Sequence, residues 1–182
     1  VQGNPQSMPF ALLCNYAGAP WLTQRWSRSI LDRYDGRGIA NAYLGDEDQG
    51  QMSAWAVLAS LGLFQTDGGC RVDPVFEIAS PIFEEVTIDL GGRYGRGETF
   101  TIRAKNASRR NIYVQRASLD GKPPRSFRSP AAALLAGGAL ALEMGPAPNR
   151  ASGVACFFHG PDPKTPRRNP RRFATAPHPP PR

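Results

Sequence analysis

The first third of the chain has apolar residues at helical spacing. Residues 8–15 form an apolar run, and after a glycine and a proline the residues Leu22, Trp26 and Ile30 recur at every fourth position. A repeat of this period places side chains on one face of an α-helix. The pattern therefore predicts two helices joined by a short turn, the second with one apolar face.

A third helix is predicted over residues 51–61. It follows a polar, glycine-containing loop over residues 35–48 and ends at Gly62, a residue suited to a left-handed helix cap. Apolar residues lie on nearly all sides of this helix. Such a distribution is typical of a buried helix, so we expect this one to be buried.

From residue 75 onward the period changes to two. Short runs rich in Val, Ile, Thr, Phe and Tyr are separated by Pro, Gly and Asn clusters, as in the strands of an antiparallel sheet. The runs cover residues 75–78, 86–90, 99–105, 111–119 and 139–144, with a helical turn at 131–135. The predicted fold class is α+β, with helices first and antiparallel strands second.

The last segment differs in composition. Residues 161–182 contain eight prolines and paired arginines, which cannot bury a core and which predict disorder. Of the net charge of +7, +6 lies in residues 150–182. The body is therefore nearly neutral, which indicates no nucleic-acid partner for it. No apolar run approaches the roughly 18 residues that a membrane span needs.

Acidic side chains are concentrated immediately before the third helix. Residues 45–51 read Gly-Asp-Glu-Asp-Gln-Gly-Gln, in which Asp48 and Gln51 fit a capping box. A cap needs one carboxylate, whereas three adjacent acids repel one another, so a second role is worth considering. Asp46 and Asp48 could hold and deprotonate a water molecule as a general base. Tyr43, just before them, is a candidate wall for a substrate.

Other residue types limit the chemistry. Trp21, Trp26 and Trp55 lie at helical spacings, which is more typical of a core than of sugar-binding platforms. Both histidines, His159 and His178, fall in the tail or its approach, which argues against a zinc site or a serine–histidine pair in the body. The three cysteines are widely separated and indicate neither a disulfide framework nor a CxxC metal site.

Several longer stretches form a recognisable series. The acidic run continues into Met-Ser-Ala-Trp at residues 52–55. The other stretches are Asn-Tyr-Ala-Gly at 15–18, Pro-Trp at 20–21, Thr-Gln at 23–24, Ser-Pro-Ile-Phe-Glu at 80–84, Phe-Thr-Ile at 100–102, Ala-Lys-Asn at 104–106, Gly-Gly at 137–138 and Glu-Met-Gly-Pro at 143–146. In order and spacing they resemble the C-terminal part of glycoside hydrolase family 92, the calcium-dependent exo-α-mannosidases.

The resemblance implies a fold and an activity. It implies the end of an (α/α)6 barrel at residues 1–74, closing β-strands at residues 75–149, and a tail at residues 150–182 that is outside the family pattern. It further implies an inverting exo-α-mannosidase, secreted or periplasmic as a whole enzyme, that removes terminal mannose from glycans. In that activity Asp46 and Asp48 would activate water.

Substrate and metal ligands follow from the same resemblance. It implies that Tyr43 and Glu47 contact the substrate and that the cofactor is calcium. The family has Glu and His where this chain has Pro5 and Pro9, and proline offers no side-chain ligand. Asn4 is therefore the remaining candidate for a calcium ligand from this segment.

The general-acid Glu of the family belongs to an earlier part of the barrel. We therefore expect the chain to be an inactive C-terminal fragment, whose partner is the N-terminal part of the same enzyme. A second interpretation is a non-catalytic carbohydrate-binding or structural β-module, because residues 75–144 could fold around their own sheet. A third makes the basic tail an anchor for nucleic acid or an anionic surface. The Asp46–Asp48 pair favours the enzyme over the binding module.

Overall fold

The computed structural model of the chain describes residues 3–34, Gly45 and residues 47–151. The first part is helical, and its elements are two 3₁₀ turns (Pro5–Ser7 and Leu12–Asn15), α1 (Pro20–Leu31) and α2 (Gln51–Ser60). The predicted helix over residues 8–15 is thus only a 3₁₀ turn at its end. No helix in these described ranges has both the length and the apolar character needed to cross a bilayer. The predicted disordered tail lies almost entirely outside them.

Strands form the second part, with one short helix among them. They are β1 (Leu63–Phe64), β2 (Val75–Ile78), β3 (Glu85–Asp89), β4 (Thr99–Lys105), β5 (Tyr113–Leu119), β6 (Arg128–Pro130) and β7 (Gly138–Gly145), and α3 (Ala131–Leu135) precedes β7. The α+β class is confirmed. The sequence pattern missed β1 and β6, which are too short to show an alternating period.

The described strands form two sheets. One has the order β1-β2-β6 and the other β3-β4-β7-β5. Strands β4 and β7 pair in parallel, whereas the other strand pairs are antiparallel. The prediction of a purely antiparallel sheet is therefore wrong for this pair. Parallel pairing needs a long connection between the two strands, and residues 106–137 supply it.

The apolar core lies in the strand region. In β4 the alternate residues Phe100, Ile102 and Ala104 are buried, as are Leu140 and Leu142 in the neighbouring β7. This alternation is what a sheet with one covered face requires. The core is completed by Leu63, Ile78, Val114, Phe127, Leu134 and Met144.

Helix α1 buries a polar face instead of the predicted apolar one. Its buried residues are Pro20, Thr23, Gln24, Ser27 and Arg28. Trp26, which we expected in the core, is 45% exposed. The helical period locates the apolar stripe correctly, but it does not say which side of the helix the strands will contact.

Side-chain hydrogen bonds to the main chain hold this polar face on the strands. The Oε1 atom of Gln24 accepts a hydrogen bond from the N–H of Val114 in β5 at 3.1 Å. Arg28 donates to the carbonyl oxygens of Pro81 at 2.6 Å and Ser108 at 2.7 Å. Because both terminal nitrogens of the guanidinium have hydrogen-bond partners, the group can be buried at a tolerable desolvation cost.

Asn15 makes a similar connection from the second 3₁₀ turn. Its Nδ2 atom donates to the carbonyl oxygens of Ile78 at 3.0 Å and Phe127 at 3.1 Å, and both bonds are buried. Ile78 is the last residue of β2, and Phe127 immediately precedes β6. A single amide therefore joins the helical part to the three-stranded sheet.

Helix α2 is covered on one side only. Its buried residues are Met52, Trp55 and Ala59, whereas Val57 is 61% exposed. The expectation that this helix is buried all round is therefore wrong. The helix ends before Gly62, whose φ of +76° confirms the predicted left-handed position.

Candidate active site

The acidic loop before α2 has an unusual backbone. Asp48, Gln49 and Gly50 have consecutive positive φ values of 52°, 62° and 91°. Residues other than glycine adopt the left-handed backbone region at a cost in free energy, and such positions concentrate at functional sites. Helix α2 begins at Gln51 with Gly50 as its N-cap. Glycine has no side chain that could accept a hydrogen bond from the first turn of the helix. The Asp48–Gln51 capping box suggested by the sequence is therefore wrong.

Glu47, which precedes Gly50 in the acidic loop, supplies part of the missing cap. Its main-chain oxygen accepts from the N–H of Met52 at 3.2 Å, and its Oε1 atom accepts from the N–H of Ser53 at 3.3 Å. A carboxylate at this end of a helix is favoured by the helix dipole. One oxygen of Glu47 is thus used to fix the loop on α2.

Two carboxylate oxygens of the loop remain available. Oε2 of Glu47 and Oδ2 of Asp48 are buried and have no hydrogen-bond partner among the described residues. A buried carboxylate oxygen without a donor is costly, so such atoms call for a ligand or a proton. The loop therefore presents two adjacent acceptors at the positive end of α2.

The N-terminal segment lies directly against this loop. A Cβ atom added to Gly45 would lie 2.8 Å from the Cα atom of Gly3 and would also overlap the Gly3 carbonyl. The indole Nε1 of Trp55 donates to the carbonyl of Met8 at 3.1 Å. Contacts at both ends of the segment hold Asn4, which follows Gly3, on the acidic-loop side of α2.

Tyr34 is a neighbour of the site that sequence reasoning missed. Its ring centroid lies 5.6 Å from that of Trp55. Burial raises the pKa of Tyr34, and the negative charge of Glu47 raises it further. Nothing in the local sequence marks this residue, because its place beside Trp55 depends on how α1 and α2 pack.

Three of the predicted site residues lie in the two segments that meet at Gly3 and Gly45. Asn4, Glu47 and Asp48 belong to the segments just described, whereas Tyr43 and Asp46 lie outside the described residues. Their placement beside Asp48 stays a prediction from the sequence.

The described residues do not make a calcium site by themselves. Oδ1 of Asn4 already accepts the N–H of Ser7 at 3.1 Å, as a cap on the first 3₁₀ turn. Pro5 and Pro9 contribute no side-chain oxygen. Over residues 3–34, 45 and 47–151 no group of three or more acidic, histidine or cysteine side chains is placed to hold a metal ion. Calcium needs six to eight oxygen ligands.

Comparison with known proteins identifies the family. Residues 1–146 match the Glycosyl hydrolase family 92 catalytic domain. The chain belongs to this family. A curated relative, an uncharacterized secreted glycosidase of Arthroderma benhamiae, is 32% identical over 123 residues, which cover 66% of this chain and 15% of the relative.

Solved family 92 structures share the fold. The α-mannosidase BT3965 of Bacteroides thetaiotaomicron is 30% identical with a TM-score of 0.73, over 84% of this chain and 19% of that one. The inverting mannosidase BT2199 of the same organism is 32% identical with a TM-score of 0.72, over 84% and 20%. BT3965 has also been solved with mannoimidazole. This chain spans about a fifth of the length of these enzymes.

Proposed function

We propose that this chain is the C-terminal part of an inverting exo-α-mannosidase that hydrolyses terminal mannose from glycans. The observation that supports this most directly is the acidic loop of a family 92 sequence, which carries buried carboxylate oxygens of Glu47 and Asp48 and contacts the N-terminal segment through Gly45. The solved relatives are named as α-mannosidases, and one of them as inverting.

In this proposal the chain contributes the base. Asp46 and Asp48 position a water molecule and take its proton as it attacks the anomeric carbon. The left-handed backbone at Asp48 and the hydrogen bond that the N–H of Ser53 donates to Glu47 hold the loop in one geometry. Glu47 and Tyr43 contact the sugar, Glu47 through its second carboxylate oxygen.

The proposal assigns the general acid to the upstream part of the same enzyme. An inverting enzyme needs its two carboxyl groups roughly 6.5 to 9.5 Å apart, on opposite faces of the sugar. Glu47 is adjacent to Asp48 and is tied to Ser53, so it does not reach the opposite face. We therefore propose that the chain alone hydrolyses no α-mannoside.

Further parts of the proposal rest on the family alone. They are a calcium cofactor whose ligands lie mainly outside the described residues, the assignment of residues 1–74 to the (α/α)6 barrel and 75–149 to the closing strands, and secretion or periplasmic export of the whole enzyme. A relative named as a secreted glycosidase supports the last point. The β-module alternative is less favoured, because it gives the acidic loop no role.

A chimaera tests the function. Residues 1–149 replace the matching segment of BT3965, with Pro5→Glu and Pro9→His to restore the family residues. We expect calcium-dependent mannose release, and Asp48→Asn should lower kcat by about 10²–10⁴ with little change in KM. Asp73→Asn, in an exposed loop, is the matched control. Full activity of the Asp48→Asn chimaera, or mannose release by the bare chain, would refute the assignment.

A further inference from the structure

The N-terminal segment, residues 3–9, offers few oxygen atoms to a metal ion. It reads Gly-Asn-Pro-Gln-Ser-Met-Pro and contains no charged residue. Its side-chain oxygens are therefore limited to those of Asn4, Gln6 and Ser7. Calcium takes six to eight oxygen ligands, and carboxylates are prominent among them. A segment that takes part in a calcium site should leave some of its oxygens available to the ion.

The side-chain oxygens of Asn4 and Ser7 are used within the segment. Oδ1 of Asn4 accepts the N–H of Ser7 at 3.1 Å, and the hydroxyl of Ser7 donates to the carbonyl of Asn4 at 2.8 Å. Asn4 is thereby the N-cap of the first 3₁₀ turn, and Pro5 is the first residue of that turn. Proline suits this position, because its fixed φ fits the turn and its missing N–H needs no partner. Pro5 therefore favours the capped turn and adds no ligand.

The main-chain carbonyls of the segment are engaged as well. Four of them accept main-chain N–H groups from residues that follow, at 2.9–3.2 Å: those of Asn4, Pro5, Ser7 and Pro9. The carbonyl of Met8 accepts the indole N–H of Trp55 at 3.1 Å. A calcium ion would compete with these donors for the oxygens that shape the segment.

The same segment supports α2 and the acidic loop. The bond from Trp55 attaches Met8 to the middle of α2, and the indole side chain is fully buried. At the other end, Gly3 lies so close to Gly45 that a Cβ atom on Gly45 would overlap it. The segment is therefore fixed to α2 at one end and to the acidic loop at the other.

We infer that the N-terminal segment of this protein is a structural brace for α2 and the acidic loop and supplies no calcium ligand. This inference rests on the proposed function, through which calcium enters. The resemblance places Glu and His where Pro5 and Pro9 stand, and proline has no side-chain ligand to offer in their place. A whole enzyme that carries this segment should therefore bind calcium weakly.

Calcium titration of two chimaeras tests the inference. Both carry residues 1–149 in place of the matching segment of BT3965; one retains Pro5 and Pro9, and the other has Pro5→Glu and Pro9→His. Isothermal titration calorimetry measures their calcium affinities and requires no activity. We expect the chimaera with the prolines to bind calcium at least about 100-fold more weakly, as loss of a ligand does.

Gln6→Glu in the chimaera with the prolines is the matched control. Gln6 is exposed in the same segment, so this change adds a carboxylate without replacing either proline, and it should not restore the affinity. Restoration by Gln6→Glu, equal affinities of the two chimaeras, or no calcium binding by either would overturn the inference.

Variants of Asn4 in the full 182-residue chain test the brace. Asn4→Ala removes the cap and should lower the urea midpoint by about 0.3–1 M, equally in calcium and in EDTA. Asn4→Asp should leave the midpoint unchanged in both solutions, because Asp and Asn cap equally well. An unchanged midpoint for Asn4→Ala, or a stabilisation of the wild-type chain by calcium that Asn4→Ala removes, would overturn the inference.

The outcomes separate this inference from the proposed function. If the chimaera with Pro5→Glu and Pro9→His binds calcium but releases no mannose, the function is refuted and the brace stands. If the chimaera with the prolines binds calcium at full affinity and releases mannose, the brace is overturned and the function stands.

Discussion

Replacing Asn15 with leucine should weaken the attachment of the helical part to the strands. Asn15 is 1% exposed, and its amide donates to two main-chain oxygens, of Ile78 and Phe127, in buried bonds. Leucine has the same number of side-chain heavy atoms and the same branching, but its methyl groups are bulkier than the amide and cannot donate. The substitution therefore removes both bonds, and its added bulk at a buried position can only increase the cost.

The magnitude follows from the two carbonyls. Without the Asn15 amide, the carbonyl of Ile78 is left without this donor at a cost of about 1–3 kcal/mol. The carbonyl of Phe127 keeps the N–H of Ile78 at 2.8 Å and loses only a second bond, worth about 0.5–1.5 kcal/mol. Two effects oppose this cost: leucine gains apolar burial, and the buried Oδ1 of Asn15, which has no partner among the described residues, is removed. We expect a net loss of about 1–3 kcal/mol, a sizeable part of the stability of a typical domain.

Urea unfolding of the full chain measures this loss, with far-UV circular dichroism and tryptophan fluorescence as two probes. Asn111→Leu is the control, because the side chain of Asn111 makes one exposed bond to the carbonyl of Asn106 and should contribute less than about 1 kcal/mol. Equal unfolding midpoints for Asn15→Leu and Asn111→Leu, at equal m-values, would refute the reasoning.

Two further predictions concern the candidate site. Glu47→Gln removes the negative charge at the start of α2 but keeps an oxygen for the N–H of Ser53, so it should cost only about 0.3–1 kcal/mol in urea unfolding; a loss above about 3 kcal/mol would show that the carboxylate is bound more strongly than these contacts explain. Because the pKa of Tyr34 is raised above its ordinary 10.0, its stabilising contribution is complete below pH 10 and is lost as the pH rises through the folded-state value. Tyr34→Phe should therefore flatten the decline of stability above pH 10, and an unchanged slope would contradict this.

Local patterns were enough to predict much of the fold. Strands β2 and β4 match the predicted ranges, β4 because its residues alternate clearly and β2 because Val, Phe and Ile favour a strand. Helix α3 lies where the helical turn was expected. The parallel pairing of β4 with β7 left no local trace, since it joins segments separated by a long connection. The same holds for β1, two residues long, which is defined by its partner β2.

The candidate site, like the fold, could be predicted only in part from the sequence. The acidic loop was recognisable because three carboxylates before an apolar helix exceed what a cap needs. Its supporting contacts were not, because the bond from Trp55 to Met8 and the packing of Tyr34 on Trp55 join residues far apart in the sequence. The cap was misassigned to Asp48 because the left-handed backbone at residues 48–50 separates Asp48 from the first turn of α2 and makes Gly50 the N-cap.

The polar face of α1 helps to explain how the acidic loop is held in place within this chain. Bonds from Gln24 and Arg28 fix α1 on the strands, and the packing of Tyr34 on Trp55 then fixes α2, whose first turn holds the acidic loop. The strand region therefore supports α1 directly, and it supports α2 and the acidic loop through α1. The outward face of α1 plays no part in these bonds, so the acidic loop is held in its geometry without any contribution from that face.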